Sequence, residues 1–210
     1  MPRLKQVSKA DATPEVQQVY ERLFGDRDPV AQPGTATGTP GNWWTVFALS
    51  PDVLAHAQAG FGMLSSKARH MTPYQRELAL MRSGFAGGSQ FVFSQHCKAA
   101  RAAKVPEEKI AAIPAWAVSE VFDAQDRAIL AYTDELILGD GRVQDGTFEA
   151  LRRHLDDVGI LELTYAIGTY RLHAMMTRAL RLEYDDVDER IVEIAMPSGG
   201  GADIMGQISR

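Results

Sequence analysis

A carboxylate and an imidazole that can meet across two helices are the residues of this chain best suited to chemistry. In residues 89–104, a period of 3.6 places Ser89, Val92, His96, Ala99 and Ala103 on one face. That face is small and apolar, with one imidazole in its middle. In residues 73–86, Tyr74, Leu78, Met81 and Phe85 form an apolar stripe. Glu77 sits three residues after Tyr74 and four before Met81, on the edge of the buried side, while Arg76 and Arg82 project elsewhere. Partial desolvation there should raise the carboxyl pKa. The short connection from Gly84 to Gly88 lets the two helices pack antiparallel, so that Glu77 and His96 face each other. A carboxylate set against an imidazole is a common acid–base arrangement. A lone histidine on an apolar face is more often a packed core residue, and an edge glutamate a surface ion-pair partner. Periodicity alone leaves both readings open.

Other polar residues are weighed in the same way. Ser89 could donate to a substrate or cap its helix, and the cap is favoured. Arg171 and Arg178 lie in the largely apolar stretch Ala166–Leu180, and neither should be buried unpaired. Substrate, Glu162 or a neighbouring chain could pair them; a structural ion pair is the favoured reading. His173, two residues from Arg171, points to another side and reads as structural or interfacial. Trp43 and Trp44 either wall a pocket or anchor the preceding loop to the core. Met175 and Met176 read as core. Cys97 lies roughly 100° from His96 around the helix and reads as an inert buried thiol. Lys98 and Arg101 are assigned to the solvated side. His56, His70, His96, His154 and His173 show no metal-ligand spacing, so no metal is expected.

The elements that must position these groups are helices. Thr13-Pro14, Ser50-Pro51 and Thr72-Pro73 each offer a capping hydroxyl followed by proline at the first helical position. Thr72 and Gln75 also form a capping-box pattern. No hairpin signal is found. Helices are expected near 14–24, 52–67, 73–86, 90–104, 107–113, 124–138, 145–154 and 158–180, giving an all-α, single-domain bundle. Residues 1–40 form an N-terminal helix and a Gly/Pro-rich loop, 41–182 the helical domain, and 183–210 an acidic C-terminal arm. Residues 25–42 make a loop long enough to be a lid or an unstructured segment. The tail reads either as an arm lying on a neighbouring subunit or as a frayed end. With 210 residues and a net charge of -5, and with no block of Lys or Arg, nucleic acid is not an expected partner. The single cysteine excludes an intrachain disulfide and suits a reducing compartment. The N-terminus has no signal-type apolar region, and no apolar run is long enough for a bilayer. A cytoplasmic protein without a membrane partner is expected.

The string Thr72-Pro73-Tyr74-Gln75-Arg76-Glu77-Leu78, followed by Gly88-Ser89-Gln90-Phe91-Val92-Phe93-Ser94-Gln95-His96, resembles the carboxymuconolactone decarboxylase and alkylhydroperoxidase D superfamily. So do Phe122-Asp123-Ala124-Gln125-Asp126-Arg127 leading into Asp134-Glu135, and Leu161 through Gly168-Thr169-Tyr170-Arg171 to Leu180. The resemblance implies an AhpD-like helical fold assembling as a homo-trimer, or as a hexamer built from trimers. In the peroxidase branch a glutamate precedes a Cys-x-x-Cys, and a histidine follows. Glu77 and His96 match the first and last of these, while Ser89 and Val92 stand where the cysteines would be. The dithiol is absent, so that branch's exchange chemistry does not transfer. The resemblance is to the cysteine-free branch, in which the position of Val92 is often acidic; valine makes the pocket more apolar. It implies a cofactor-independent lyase or isomerase acting on a small lactone or carboxylic acid. His96 would be the general acid and Glu77 its orienting base, with Ser89, Val92, Tyr74, Trp44 and Arg171 as candidate substrate contacts. The competing expectations are a peroxide-reducing antioxidant working through Cys97 with an outside thiol, and a non-catalytic oligomeric binding module.

Overall fold

Ten α-helices and one 3-10 turn follow one another in the computed structural model, which describes residues 1–185 and 191–208; no strand occurs among them. The elements are α1 (Pro14–Phe24), α2 (Asn42–Phe47), α3 (Pro51–Ser65), α4 (Pro73–Ala86), α5 (Gln90–Ala102), α6 (Glu107–Ala112), the 3-10 turn Ile113–Val118, α7 (Ala124–Ile137), α8 (Asp145–Arg152), α9 (Asp157–Leu180) and α10 (Ile204–Ile208). The fold is all-α, and eight of these helices lie where the sequence signals place them. Thr13 and Thr72 cap as expected, and Thr72 with Gln75 forms the full capping box. Ser50 precedes α3 but its hydroxyl makes no capping bond.

Helices α2 and α10 are the additions, and the cap of α2 explains why local signals miss it. No nearby side chain satisfies its first N–H groups. The Glu183 carboxylate does so, accepting from Gly41 N at 3.0 Å and Trp43 N at 2.6 Å. The rest of the acidic segment, 186–190, lies outside the described residues.

Helix α4 is the hub. It packs on α5, α7 and α9, and Gln75 through Gly84 are all buried. Three of those residues are charged, so each needs a partner inside the core. Arg82 is held by Asp134, with its second nitrogen donating at 2.9 Å, and by the Ile113 carbonyl. Arg76 turns to Glu77. Both arginines, placed elsewhere around the helix than Glu77, are buried as well, because α4 has no solvated side along Gln75–Gly84.

The α4–α5 connection is tight. Gly88 takes φ +68°, a conformation that favours glycine, and Ser89 N donates back to Gly84 O at 2.9 Å. Gly84 lies against the α5 backbone: a Cβ there would sit 2.8 Å from Phe93 Cα. Ser89 caps α5 through Val92 N, and its own hydroxyl proton goes to Asp185 at 2.7 Å.

The described part of the C-terminal arm packs on its own chain. Buried Lys98 is the reason. It lies on the helix face assigned to solvent, yet it is fully buried. Its ammonium needs acceptors, and it finds Ser94 Oγ at 2.8 Å and Ile194 O at 2.6 Å. Arg101 adds a bond to Glu193 at 2.7 Å, and Ala202 N donates to Lys98 O. This fixes the course of the arm and lets α10 pack between α3 and α5. Met175 is exposed and Met176 half-buried, so the pair is not a core pair.

Gly84→Ala tests the hub. Alanine gains about 1 kcal/mol of helix propensity, but its methyl meets α5 backbone. We expect a net loss of roughly 1–3 kcal/mol, measured by urea denaturation.

Candidate functional site

The α4–α5 hairpin brings Glu77 and His96 into contact. His96 Nδ1 lies 2.7 Å from Glu77 Oε2, and both side chains are buried. The second oxygen, Oε1, accepts from Arg76 Nε at 2.7 Å, and Arg76 is anchored in turn on Leu64 O at 2.8 Å. Burial pushes the Glu77 carboxyl up, but attraction and hydrogen bonds from His96 and Arg76 outweigh it and hold the pKa below its usual value. This reverses the expected direction, because a fully buried carboxylate hydrogen-bonded by Arg76 and His96 replaces the half-buried, unpaired one. Tying Nδ1 to a carboxylate leaves Nε2 as the imidazole's free nitrogen.

His96 forms part of the wall of a cavity of about 120 Å³, comparable to the ~150 Å³ apolar cavity that holds benzene. α5 contributes Val92, Gln95 and His96; α9 contributes Tyr170 and His173; α2 contributes Trp43 and Trp44. Thr35, Thr37 and Thr39, from the long loop after α1, close one side, and Ile204 and Gln207 of α10 another. The loop is thus a wall of the cavity.

The structure sorts the sequence candidates. Val92 and Trp44 line the cavity with His96, and Glu77 stands behind the imidazole. Ser89, Tyr74 and Arg171 do not line it. Ser89 is consumed as a cap. The Tyr74 hydroxyl accepts from Lys109 at 2.9 Å and faces Asp126, which Lys109 also binds. Arg171 bonds Asp140 at 2.8 Å and Leu136 O, an ion pair that holds the α7 end to α9. Glu162 pairs with Arg69 and accepts from His70 N and Met71 N, so it serves neither arginine of α9.

His173 was read as structural or interfacial, and it is a cavity residue. It packs among Trp43, Phe47, Phe61 and Tyr170, and its buried Nδ1 has no partner. Burial, then the neighbouring His96, lower its pKa to about 4. The available signal was the buried α9 stripe Ala166, Tyr170, His173, Ala174 and Thr177, at helical spacing. Gln95 is the other residue missed. It neighbours His96 in sequence, and its Oε1 is buried and unpartnered.

Residues 52–135 match the Carboxymuconolactone decarboxylase family. A protein of unknown function from Agrobacterium tumefaciens, described as an AhpD antioxidant-defence protein, is 26% identical over 70% of this chain and 96% of its own, with a TM-score of 0.59. Over these residues the chain is similar to the carboxymuconolactone decarboxylase and alkylhydroperoxidase D superfamily. A peroxidase-related protein with an AhpD core from Ralstonia eutropha shares the fold at 17% identity, over 88% of this chain and 93% of its own, with a TM-score of 0.70. So does the debrominase Bmp8 carrying a cysteine-to-alanine change, solved with 2,3,4-tribromopyrrole: 16% identity, 87% and 92% coverage, TM-score 0.67. A comparison with curated proteins finds no match.

Within this superfamily fold the chain carries no thiol at the cavity wall. Cys97 is buried on another side of α5, in a groove formed with Phe93, Ile110 and Glu193. Burial, then Glu193, push its thiol well above the usual range, which disfavours the thiolate. No helix among the described residues is long and apolar enough to cross a membrane.

The depressed Glu77 pKa has a defined sign. The unfolded chain binds this proton more readily, so the pair's contribution is present above the ordinary glutamate pKa of 4.5 and is lost as pH falls through the lower folded value. Thermal melts on a pH series should show stability rising with pH in that acid window. Glu77→Gln should flatten that slope and lower neutral-pH stability by about 3–5 kcal/mol, because Arg76 loses its buried counter-charge.

Proposed function

We propose that this protein is a cofactor-independent lyase or isomerase that moves a proton on a small, single-ring lactone or carboxylic acid, with His96 as acid and base. The observation that supports this reading is the His96–Glu77 contact at 2.7 Å, placed behind the wall of a ring-sized cavity. Glu77 orients the imidazole and stabilises its protonated form, and Arg76 keeps Glu77 ionised. With Nδ1 held, Nε2 exchanges protons with the ring. In the decarboxylating direction the C–C bond to CO2 breaks and its electron pair passes into the conjugated carbonyl. Protonated His96 then delivers a proton to carbon and is recharged from water.

The developing oxyanion needs donors that are already in place. His173, neutral at ordinary pH and with an unpartnered ring nitrogen, supplies a hydrogen-bonding group there. The described wall offers two histidines and Tyr170 but no lysine or arginine, so the charge of an acid substrate is balanced by protonated His96. A fold relative solved with a tribrominated pyrrole holds a single ring, the size class that suits this cavity. The buried, proton-retaining Cys97 outside the cavity weighs against the thiol-based alternative.

Assembly as a homo-trimer or hexamer belongs to this reading. Helix α9 leaves Val158, Leu161, Tyr165, Leu172 and Met175 exposed along one seam, at spacings of three, four and seven residues.

Exchange of substrate hydrogens in D2O, followed by 1H NMR over a panel of small lactones and unsaturated acids, reads the proton transfer directly. His96→Ala should slow exchange by about 10²–10⁴. Glu77→Gln should slow it as well, and Cys97→Ala should leave it unchanged. Exchange that survives in His96→Ala, or that is lost in Cys97→Ala, would overturn the assignment.

A further inference from the structure

The polar residue beside His96 is held in one orientation by a chain of hydroxyls. Gln95 Nε2 lies 3.0 Å from Thr37 Oγ1. Thr37 Oγ1 lies 3.1 Å from Thr35 Oγ1, and Thr35 Oγ1 lies 2.8 Å from Thr39 Oγ1. The Thr39 hydroxyl is hydrogen-bonded to the Glu183 carboxylate. Distances alone leave each hydroxyl's donor undefined, but the end of the chain defines them all. An ionised carboxylate only accepts, so Thr39 must donate to Glu183. Thr39 then accepts from Thr35, and Thr35 from Thr37. The last hydroxyl has spent its proton and must accept from Gln95. The same carboxylate takes Gly41 N and Trp43 N, so it cannot turn away from the chain without uncapping α2.

The Gln95 amide is thereby oriented: its NH2 faces Thr37, and its carbonyl is left over. That carbonyl oxygen is buried without a partner, on a side chain that is itself nine-tenths buried and lines the cavity next to His96. A buried acceptor of this kind is costly unless something donates to it. No N–H or O–H among the described residues does so. We propose that Gln95 is a specificity-determining residue whose carbonyl, oriented by Thr37, Thr35, Thr39 and Glu183, accepts a hydrogen bond from a ring N–H or O–H of a single-ring ligand. The ligand class is narrowed to rings that carry a donor, such as hydroxylated aromatics, azoles or enol forms of lactones. Fully alkylated rings of the same shape leave the carbonyl unpaired and are selected against.

The proposal rests on the reading of this cavity as the substrate site, but not on the acid–base chemistry. Its test is therefore a binding preference. Wild-type protein at about pH 8, above the Glu183 pKa of about 7, is titrated by NMR with phenol against anisole, and with pyrrole against N-methylpyrrole. Each donor ring should bind about tenfold or more tightly than its methylated partner. Gln95→Leu should abolish the preference while still binding anisole. Thr37→Val removes the anchor of the amide and should reduce the preference several-fold; it decides the matter if Gln95→Leu does not fold. Equal binding of the paired rings, a preference that survives Gln95→Leu, or no binding of any ring would overturn the proposal. Ring binding with the expected preference but no proton exchange in D2O would overturn the acid–base reading alone. Exchange without the preference would overturn the Gln95 assignment alone.

Discussion

The buried carboxylate of Glu77 is the constraint around which the molecule is arranged. An isolated charge in this core would be untenable. Two partners make it tenable: Arg76 on one oxygen and His96 on the other. To deliver His96, α5 must lie close against α4, and Gly84 permits that approach. To keep Arg76 in place, α3 must end where Leu64 can accept from it. Helix α4 therefore carries charge through the centre of an otherwise apolar core, and its neighbours are fixed in register by that charge. Such a network contributes orientation as much as stability.

The chemistry next to this network follows from what surrounds it. His96 is held from behind by an anion and faced by an apolar cavity. His173 is kept neutral by its aromatic neighbours. The two imidazoles share one small space yet differ in character, because one has a counter-ion and the other does not. Environment, and not residue type, divides their roles.

Much of this was legible in the sequence. The α4–α5 hairpin, the capping box at Thr72 and the Glu77–His96 meeting follow from helical period and a glycine-rich turn, all of which are local signals. What escaped depends on distant residues. Helix α2 is capped from Glu183, so its own segment carries no start signal. Lys98 looks like a surface lysine until the arm from Ile194 supplies its acceptor. Arg76 looks solvated until α4 proves to be enclosed on every side. The places of His173 and Gln95 are not legible locally, because the cavity they face is built from seven separate stretches of chain. Arg171 and Ser89 were offered as binding groups, and each is already satisfied by its own structural partner.

The route of the arm over α5 separates two kinds of order in this molecule. Glu77 and His96 are 19 residues apart and belong to a single hairpin. The cavity in front of them is closed across far longer spans, as the 96-residue separation of Lys98 and Ile194 shows. Local pairs form early and open rarely, while long-range closures form late and open first. Breathing of the arm would uncover the cavity without disturbing the hairpin behind it. A ligand could then enter and leave by a motion at the periphery, with the Glu77–His96 pair held in place throughout.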